Sequence, residues 1–216
     1  MNSSLELRSW LAEQKCRAAI KALGKSGFDA VYCPTAPDAA EYIIKAAADA
    51  LTIGFGGSMS VNELRIHERL RAMDKKLLIH NQPEFSPEQN METRRLQLVC
   101  DLFITGTNAL TLEGQLVNID GTGNRVAAMI FGPKKVIVVA GRNKLVANAA
   151  QAIERIKNIA APANAKRLNY DLSCVKTGFC SDCRSPQRIC NITVILEKKP
   201  IYSDITVLVV NDDLGL

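Results

Sequence analysis

The sequence predicts one α/β domain, and three observations predict it. Short apolar runs rich in Val and Ile alternate with amphipathic stretches along the chain, as strands and helices do around one sheet. Two glycine-rich loops, "IGFGGSMSVNEL" at 53–64 and "NIDGTGNRVAAM" at 118–129, each follow a strand-like run and precede a helix-like one. The 216 residues, 47% hydrophobic and 23% charged, suit one large domain, or one domain with an appended segment.

Each element has its own local reason. A helix is expected from Leu5 to Leu23, stopped at Gly24, and "FDAVYCP" reads as a buried strand ended by Pro34. A helix near 37–48 leads to the strand "ALTIGF"; the next helix starts near Val61, and "KLLIHN" is a third strand. Ser86 and Pro87 open another helix, with Pro at its first position and Gln89 completing a capping box. "DLFITGT" and "QLVNI" follow as strands with "LEG" as a turn between them, and a helix over about 124–131 stops at Gly132-Pro133. "KVIVVAG" is a sixth strand. Over 143–160, Leu145, Ala149, Ala152, Ile156 and Ile159 share one face of a helix that Asn143 caps and Pro162 ends. After a cysteine-bearing excursion at about 173–191, "NITVILEKK" and "DITVLVV" read as two closing strands.

Charge and composition narrow the function. A net charge of +5, from 27 basic against 22 acidic residues, is spread along the chain without a block of five like charges. Aromatic residues are scarce and do not alternate with Arg or Lys, which argues against nucleic acid and suits a small anionic metabolite. Glu6, Arg8 and Glu13 interrupt any signal-peptide core, and runs such as "VIVVA" fall far short of the roughly 18 apolar residues of a membrane span. The expectation is a cytoplasmic protein with no membrane span, its seven cysteines reduced or ligating metal.

The first glycine loop places Gly54, Gly56 and Gly57 between a strand and a helix start, where exposed amides attract anions. The third glycine of a dinucleotide fingerprint would fall on Met59, and no P-loop lysine is present. Ser58 is free to meet a ligand. Ser60 and Glu63 either form a capping box or offer Glu63 as a general base or nucleophile. The second loop gathers Asn118, Asp120, Gly121, Thr122, Gly123, Asn124 and Arg125. Asp120 is a candidate acid or base, and Arg125 can grip a carboxylate or phosphate bidentately. The alternative is that Asp120-Gly121 only turns the chain and Asn124 only caps a helix. Thr107 and Asn108 close the strand that Asp101 opens, at the strand end where open α/β sheets bind ligands. His67 and His80 have no metal-spaced partner and read as structural or solvated. The absence of Gly-x-Ser-x-Gly and His-Glu-x-x-His disfavours Ser-His and zinc-protease hydrolysis.

Together "GFGGSMSVNEL", "DLFITGTNALTLEGQLVNIDGTGNRVAAMIFGPKKVIVVAG" and "DITVLVVNDDLGL" resemble the LUD domain of lactate-utilisation proteins, over nearly the whole chain. The resemblance implies a Rossmann-like three-layer α/β sandwich similar to the sugar-phosphate isomerase and CoA-transferase superfamily. It also implies a part in oxidising lactate or a related hydroxy acid to pyruvate beside iron-sulfur oxidoreductase subunits. A homo-oligomer is also among the assemblies expected. The chain departs from larger relatives in lacking a ferredoxin-type cysteine run. The superfamily likeness suggests an alternative: an isomerase or transferase acting on a phosphorylated sugar or acyl group. By position, Asp101, Asn118, Gly121 and Thr122 would line its site, with Asp101 or Asp120 shuttling the proton.

Four cysteines cluster as Cys174-x5-Cys180-x2-Cys183-x6-Cys190. They can complete a tetrahedral zinc site or an iron-sulfur cluster, form a redox pair at Cys180 and Cys183, or simply be reduced thiols. The metal reading makes a non-catalytic assembly or regulatory subunit a further alternative. Cys16, Cys33 and Cys100 fall at core positions.

Overall fold

The segments "KVIVVAG" and "ITVLVV", apolar at almost every position, form strands buried on both faces, as strands packed between two layers must be. The structure is a computed structural model and describes residues 3–216. It runs α1 (Ser4–Lys25), β1 (Asp29–Cys33), α2 (Ala36–Ala46), β2 (Thr52–Phe55), α3 (Met59–Glu63), α4 (His67–Arg71) and β3 (Lys76–Leu78). Then come α5 (Pro87–Leu96), β4 (Leu102–Gly106), β5 (Ala109–Thr111), β6 (Leu116–Asp120), α6 (Asn124–Ile130) and β7 (Lys135–Gly141). The rest is β8 (Leu145–Val146), α7 (Ala149–Arg155), α8 (Ala161–Arg167), α9 (Ser173–Thr177), β9 (Ile192–Leu196) and β10 (Ile205–Val210).

The parallel sheet has the order β1-β10-β7-β4-β2-β3. Alternate residues of its central strands feed two cores. Ile137, Val139, Leu208 and Val210 pack with Ile43 of α2 and Leu70 of α4, while Val136, Val138, Val207 and Val209 pack with Cys16 and Leu23 of α1 and Met129 of α6. Helices thus cover both faces, and the fold is the Rossmann-like three-layer sandwich. A second sheet, β8-β5-β6-β9, turns Leu110 and Leu116 into the core beneath α1 and packs Ala109, Val117 and Ile119 on Ala152 and Ile156. Among the described residues, no helix is long and apolar enough to cross a membrane.

Capping boxes start the longer helices: Ser3 with Glu6, Thr35 with Asp38, and Ser86 with Gln89, the last as its sequence predicts. The expected helix over 143–160 is corrected. Leu145 and Val146 pair with Leu110 and Thr111 as β8, so they are extended. Asn148, not Asn143, caps α7, its side chain accepting from the Gln151 amide at 3.1 Å. Pro162 does not end the helix: a π turn over Ile156–Ala160 leads straight into α8, and its wider spacing accommodates the missing proline N–H. Ile159 is consequently exposed. The two final strands do not pair with each other. β9 joins β6 at the edge of the second sheet, and β10 inserts between β1 and β7.

Candidate functional site

The chain lays β3 on one side of β2 and then returns to place β4 on the other, so the winding reverses between β2 and β4. Ligands of open α/β sheets bind at such a reversal, beyond the carboxyl ends of the strands. A cavity of about 570 Å³ lies there, in the size range of metabolite sites. Both glycine loops reach it: Gly56, Gly57 and Ser58 after β2, Thr107 and Asn108 after β4, and Asp120, Gly121, Thr122, Asn124 and Arg125 after β6.

Just after β2 the chain passes so close to β4 and α6 that Gly56 leaves no room for a side chain. A Cβ on Gly56 would sit 2.9 Å from the Thr105 Cβ and 3.2 Å from Cγ of Arg125. Gly54 lies inside β2 instead, pressed against Cys100 and Phe103, and Gly123 takes the left-handed conformation before α6; neither lines the cavity.

Arg125 is a strut. Its Nη1 donates to Asn118 Oδ1 at 2.6 Å and Gly106 O at 3.4 Å, and its Nη2 donates to Asn108 Oδ1 at 3.0 Å and Ile119 O at 3.2 Å. Its Nε lies 3.6 Å from Asp120 Oδ2. Burial disfavours the guanidinium charge and Asp120 offsets only part of that. With its donors engaged, Arg125 ties the loop after β4 to the loop after β6, in place of the free bidentate grip its sequence setting suggests. Asn118 lies fully buried behind the cavity, its oxygen also accepting from the Asn108 amide at 3.0 Å while its Nδ2 has no partner. Asp120 completes the turn, accepting from the amides of Gly121 at 3.0 Å and Val126 at 3.2 Å. The capping acceptor of α6 is therefore Asp120, and Asn124 is the first helical residue.

The residue that sequence reading missed is Lys144. It is 4% exposed and lines the cavity, donating to Ser60 Oγ at 2.7 Å and Thr107 O at 3.0 Å. Among the described residues no carboxylate pairs with it. Burial first, then the charges of Arg155 and Arg125, lower its pKa to about 7, with Glu63 acting in the opposite direction. Arg155, itself buried, donates to Asn143 O at 3.1 Å and Asn108 O at 2.8 Å and stiffens the same corner. Placing 143–160 in one helix concealed Lys144; the signal for it is its position three residues past the end of β7, on the ligand side of the sheet.

Ser60 and Glu63 do not form their capping box. Ser58 occupies the cap position of α3. Ser60 is buried, accepting from Lys144 and donating to Leu214 O at 3.1 Å, and Glu63 accepts from the Gly215 amide at 2.7 Å. Glu63 is not a cavity-lining residue, and neither is Asp101. Asp101 precedes β4 and therefore sits at the opposite edge of the sheet, accepting from the amides of Leu51 at 3.1 Å and Thr52 at 2.9 Å and pairing with Lys134 at 2.8 Å. Lys134 first, then Thr52, hold its carboxyl far below the usual carboxylate range. Asp101→Asn is expected to lower stability near neutral pH, with the deficit vanishing as acid protonates the wild-type carboxylate. Affinity for a cavity ligand is expected to stay unchanged; thermal melts and a binding titration on the variant check both.

His67 and His80 line the cavity rather than standing apart. Burial lowers both pKa values and so favours the neutral rings. His67 packs on Phe55 with ring centroids 4.5 Å apart, and His80 Nδ1 lies 2.9 Å from Gln97 Nε2. The cysteine segment also belongs to this region. The Asn191 amide donates to Asp120 O at 2.9 Å, a Cβ on Gly121 would meet the Ile189 backbone at 3.3 Å, and Cys190 lines the cavity. All four clustered thiols are free and half-buried, and among the described residues no three Cys, His, Asp or Glu side chains are gathered tightly enough to hold one metal ion.

Comparison with solved structures gives a match to the crystal structure of a DUF162 family protein from Deinococcus radiodurans, with a TM-score of 0.51 at 15% identity. The match covers 94% of this chain and 98% of that one, and it supports the fold. A comparison with curated proteins gave no match. The LUD domain profile matches residues 16–210, which include both glycine loops, Lys144 and the cysteine segment, and the chain accordingly belongs to the LUD domain family.

Proposed function

We propose that the chain binds a small carboxylate metabolite, lactate or a related hydroxy acid, and takes part in its oxidation to pyruvate beside iron-sulfur oxidoreductase subunits in the cytoplasm. The observation that carries this reading is charge. Among the described residues Arg94, Lys144 and Arg167 border the cavity beside the fully engaged Arg125, against one side-chain carboxylate, that of Asp120. Lys144, buried and without a carboxylate, is the group with most to gain from an anion, because a bound carboxylate offsets what its burial costs. Family membership supports the choice of hydroxy acid. With Nδ1 accepting from Gln97 Nε2, the neutral ring of His80 carries its proton on Nε2 and is suited to donate a hydrogen bond to a substrate oxygen. Oxidising a hydroxy acid to a keto acid releases two electrons and two protons, and iron-sulfur partners supply the electron acceptor.

The test is lactate-dependent reduction of an artificial electron acceptor by the iron-sulfur subunits with and without this chain. The rate is expected to depend on the chain and to fall about tenfold or more with Lys144→Met, the loss of a charged hydrogen bond. Equal rates without the chain would remove the proposal.

The cavity volume favours a second reading, since about 570 Å³ exceeds what a three-carbon acid fills. On that reading Arg94, Lys144 and Arg167 hold the phosphate of a sugar phosphate or acyl carrier, and the chain is an isomerase or transferase. Asp120 is then the proton-shuttling carboxylate, because Asp101 lies at the far edge of the sheet. Turnover of a sugar phosphate by the isolated chain, lost in Asp120→Asn, would select this reading.

A further inference from the structure

The segment from Leu172 to Asn191 has little regular structure beyond the single turn of α9, yet it is pinned in place. Arg188 does much of the pinning. Its Nη1 donates to Cys183 O at 2.6 Å, its Nε to Cys190 O at 2.9 Å and its Nη2 to Asp182 Oδ1 at 2.8 Å. Gly178 at φ 81° and Asp182 at φ 49° supply left-handed bends, and the Asp182 amide donates to Cys180 Sγ at 3.4 Å. The product is that Cys174, Cys180, Cys183 and Cys190 all border one small cavity, separate from the three core cysteines.

The spacing of these thiols is informative. A single tetrahedral zinc ion, with Zn–S bonds of about 2.3 Å, would draw its four sulfurs to about 3.8 Å from one another. Among the described residues, no three side chains are grouped for one ion in that way. Four thiols border one void with no three of them grouped for a single ion, an arrangement that suits a guest taking one thiolate at each of four corners. Arg188 and Lys157, both bordering the void, offset the negative charge that four thiolates bring. The amide on Cys180 is the kind of N–H···S bond that tunes iron-sulfur centres.

We propose that Cys174, Cys180, Cys183 and Cys190 ligate a [4Fe–4S] cluster in this chain, with its Cys190 corner in the wall of the anion cavity. Ala161, Ile189 and Cys190 border both spaces, so the cluster and a bound anion are neighbours separated by one layer of side chains. The centre is the chain's own, in addition to any carried by partner subunits, and its presence does not depend on which anion the main cavity takes.

The experiment uses the full chain purified without oxygen and then reconstituted with ferrous iron and sulfide under reducing conditions. Iron and acid-labile sulfide analysis is expected to give about four of each per chain, with the broad brown absorbance of a cubane centre and an electron paramagnetic resonance signal on reduction. Cys183→Ser is expected to lose the chromophore, and Cys33→Ala, which removes a core thiol, to keep it. Circular dichroism of each variant separates loss of the cluster from loss of the fold, and the wild-type metal content stands whatever the variants do. Reconstituted wild-type protein without iron and sulfide would overturn the proposal. So would one zinc per chain, or two disulfides within the segment by mass spectrometry.

Discussion

Lys144→Met is expected to make the protein more stable at neutral and acidic pH while weakening anion binding about 10- to 100-fold, the value of a charged hydrogen bond. The lysine has a folded-state pKa of about 7, below its ordinary 10.5, because burial and two arginines disfavour its charge. Below about pH 7 it is protonated in both folded and unfolded chains, and the fold carries the whole cost of the buried charge. Between about pH 7 and the ordinary lysine value the unfolded chain binds the proton and the fold does not. Wild-type stability therefore rises with pH across that window. Methionine fills a similar volume with no charge, so its advantage, about 1–4 kcal/mol by analogy with other buried charges replaced by apolar groups, is largest at low pH and shrinks above neutrality. Denaturant melts of both proteins at about pH 6 and about pH 9 read the difference directly. A gap that does not change with pH would mean that Lys144 is not the titrating group.

Arg125→Leu is expected to cost about 3–5 kcal/mol, because it leaves the half-buried Asp120 carboxylate beside no cation and strips donors from Gly106 O, Ile119 O and two asparagine side chains. The loops after β4 and β6 lose their tie, so amide exchange should quicken at 106–108 and 118–121 and anion binding should disappear. Arg125→Lys keeps the charge and cannot reproduce the planar fork, and is expected to fall between the two. An Arg125→Leu protein melting within about 0.5 kcal/mol of wild type, with its loops still protected, would show that the strut is not needed.

The sheet was largely legible because its strands announce themselves: "VIVVA" is apolar throughout and "ITVLVV" is apolar but for Thr206, as burial on both faces requires. The loops carrying Gly56, Gly57, Thr107, Asn108 and Arg125 were legible for a related reason, since polar and glycine residues at the carboxyl ends of buried strands converge on the ligand side. The same rule, applied to direction, excludes Asp101, which precedes its strand and lands at the other edge. Lys144 was hidden by periodicity: Leu145, Ala149 and Ala152 have helical spacing, although Leu145 spends its backbone hydrogen bonds in β8. The role of Arg125 was only half visible. A guanidinium in a loop signals an anion, but its partners Asn108 and Asn118 lie 17 and 7 residues away in sequence, beyond any local pattern. The cysteine segment's contact with Gly121 is more distant still, and it turns an apparent late excursion into a wall of the site.

The central claim, that the β2/β4 cavity receives an anion on Lys144, is tested most directly by calorimetric titration of lactate and pyruvate at about pH 8 in two buffers of different ionisation heat. At that pH the lysine of the free protein is mostly neutral, and a bound carboxylate stabilises its charged form, so binding must draw a proton from the buffer. One site per chain with uptake of about one proton is expected, absent in Lys144→Met. Binding without proton uptake, uptake unchanged in the variant, or no binding of either acid would contradict it.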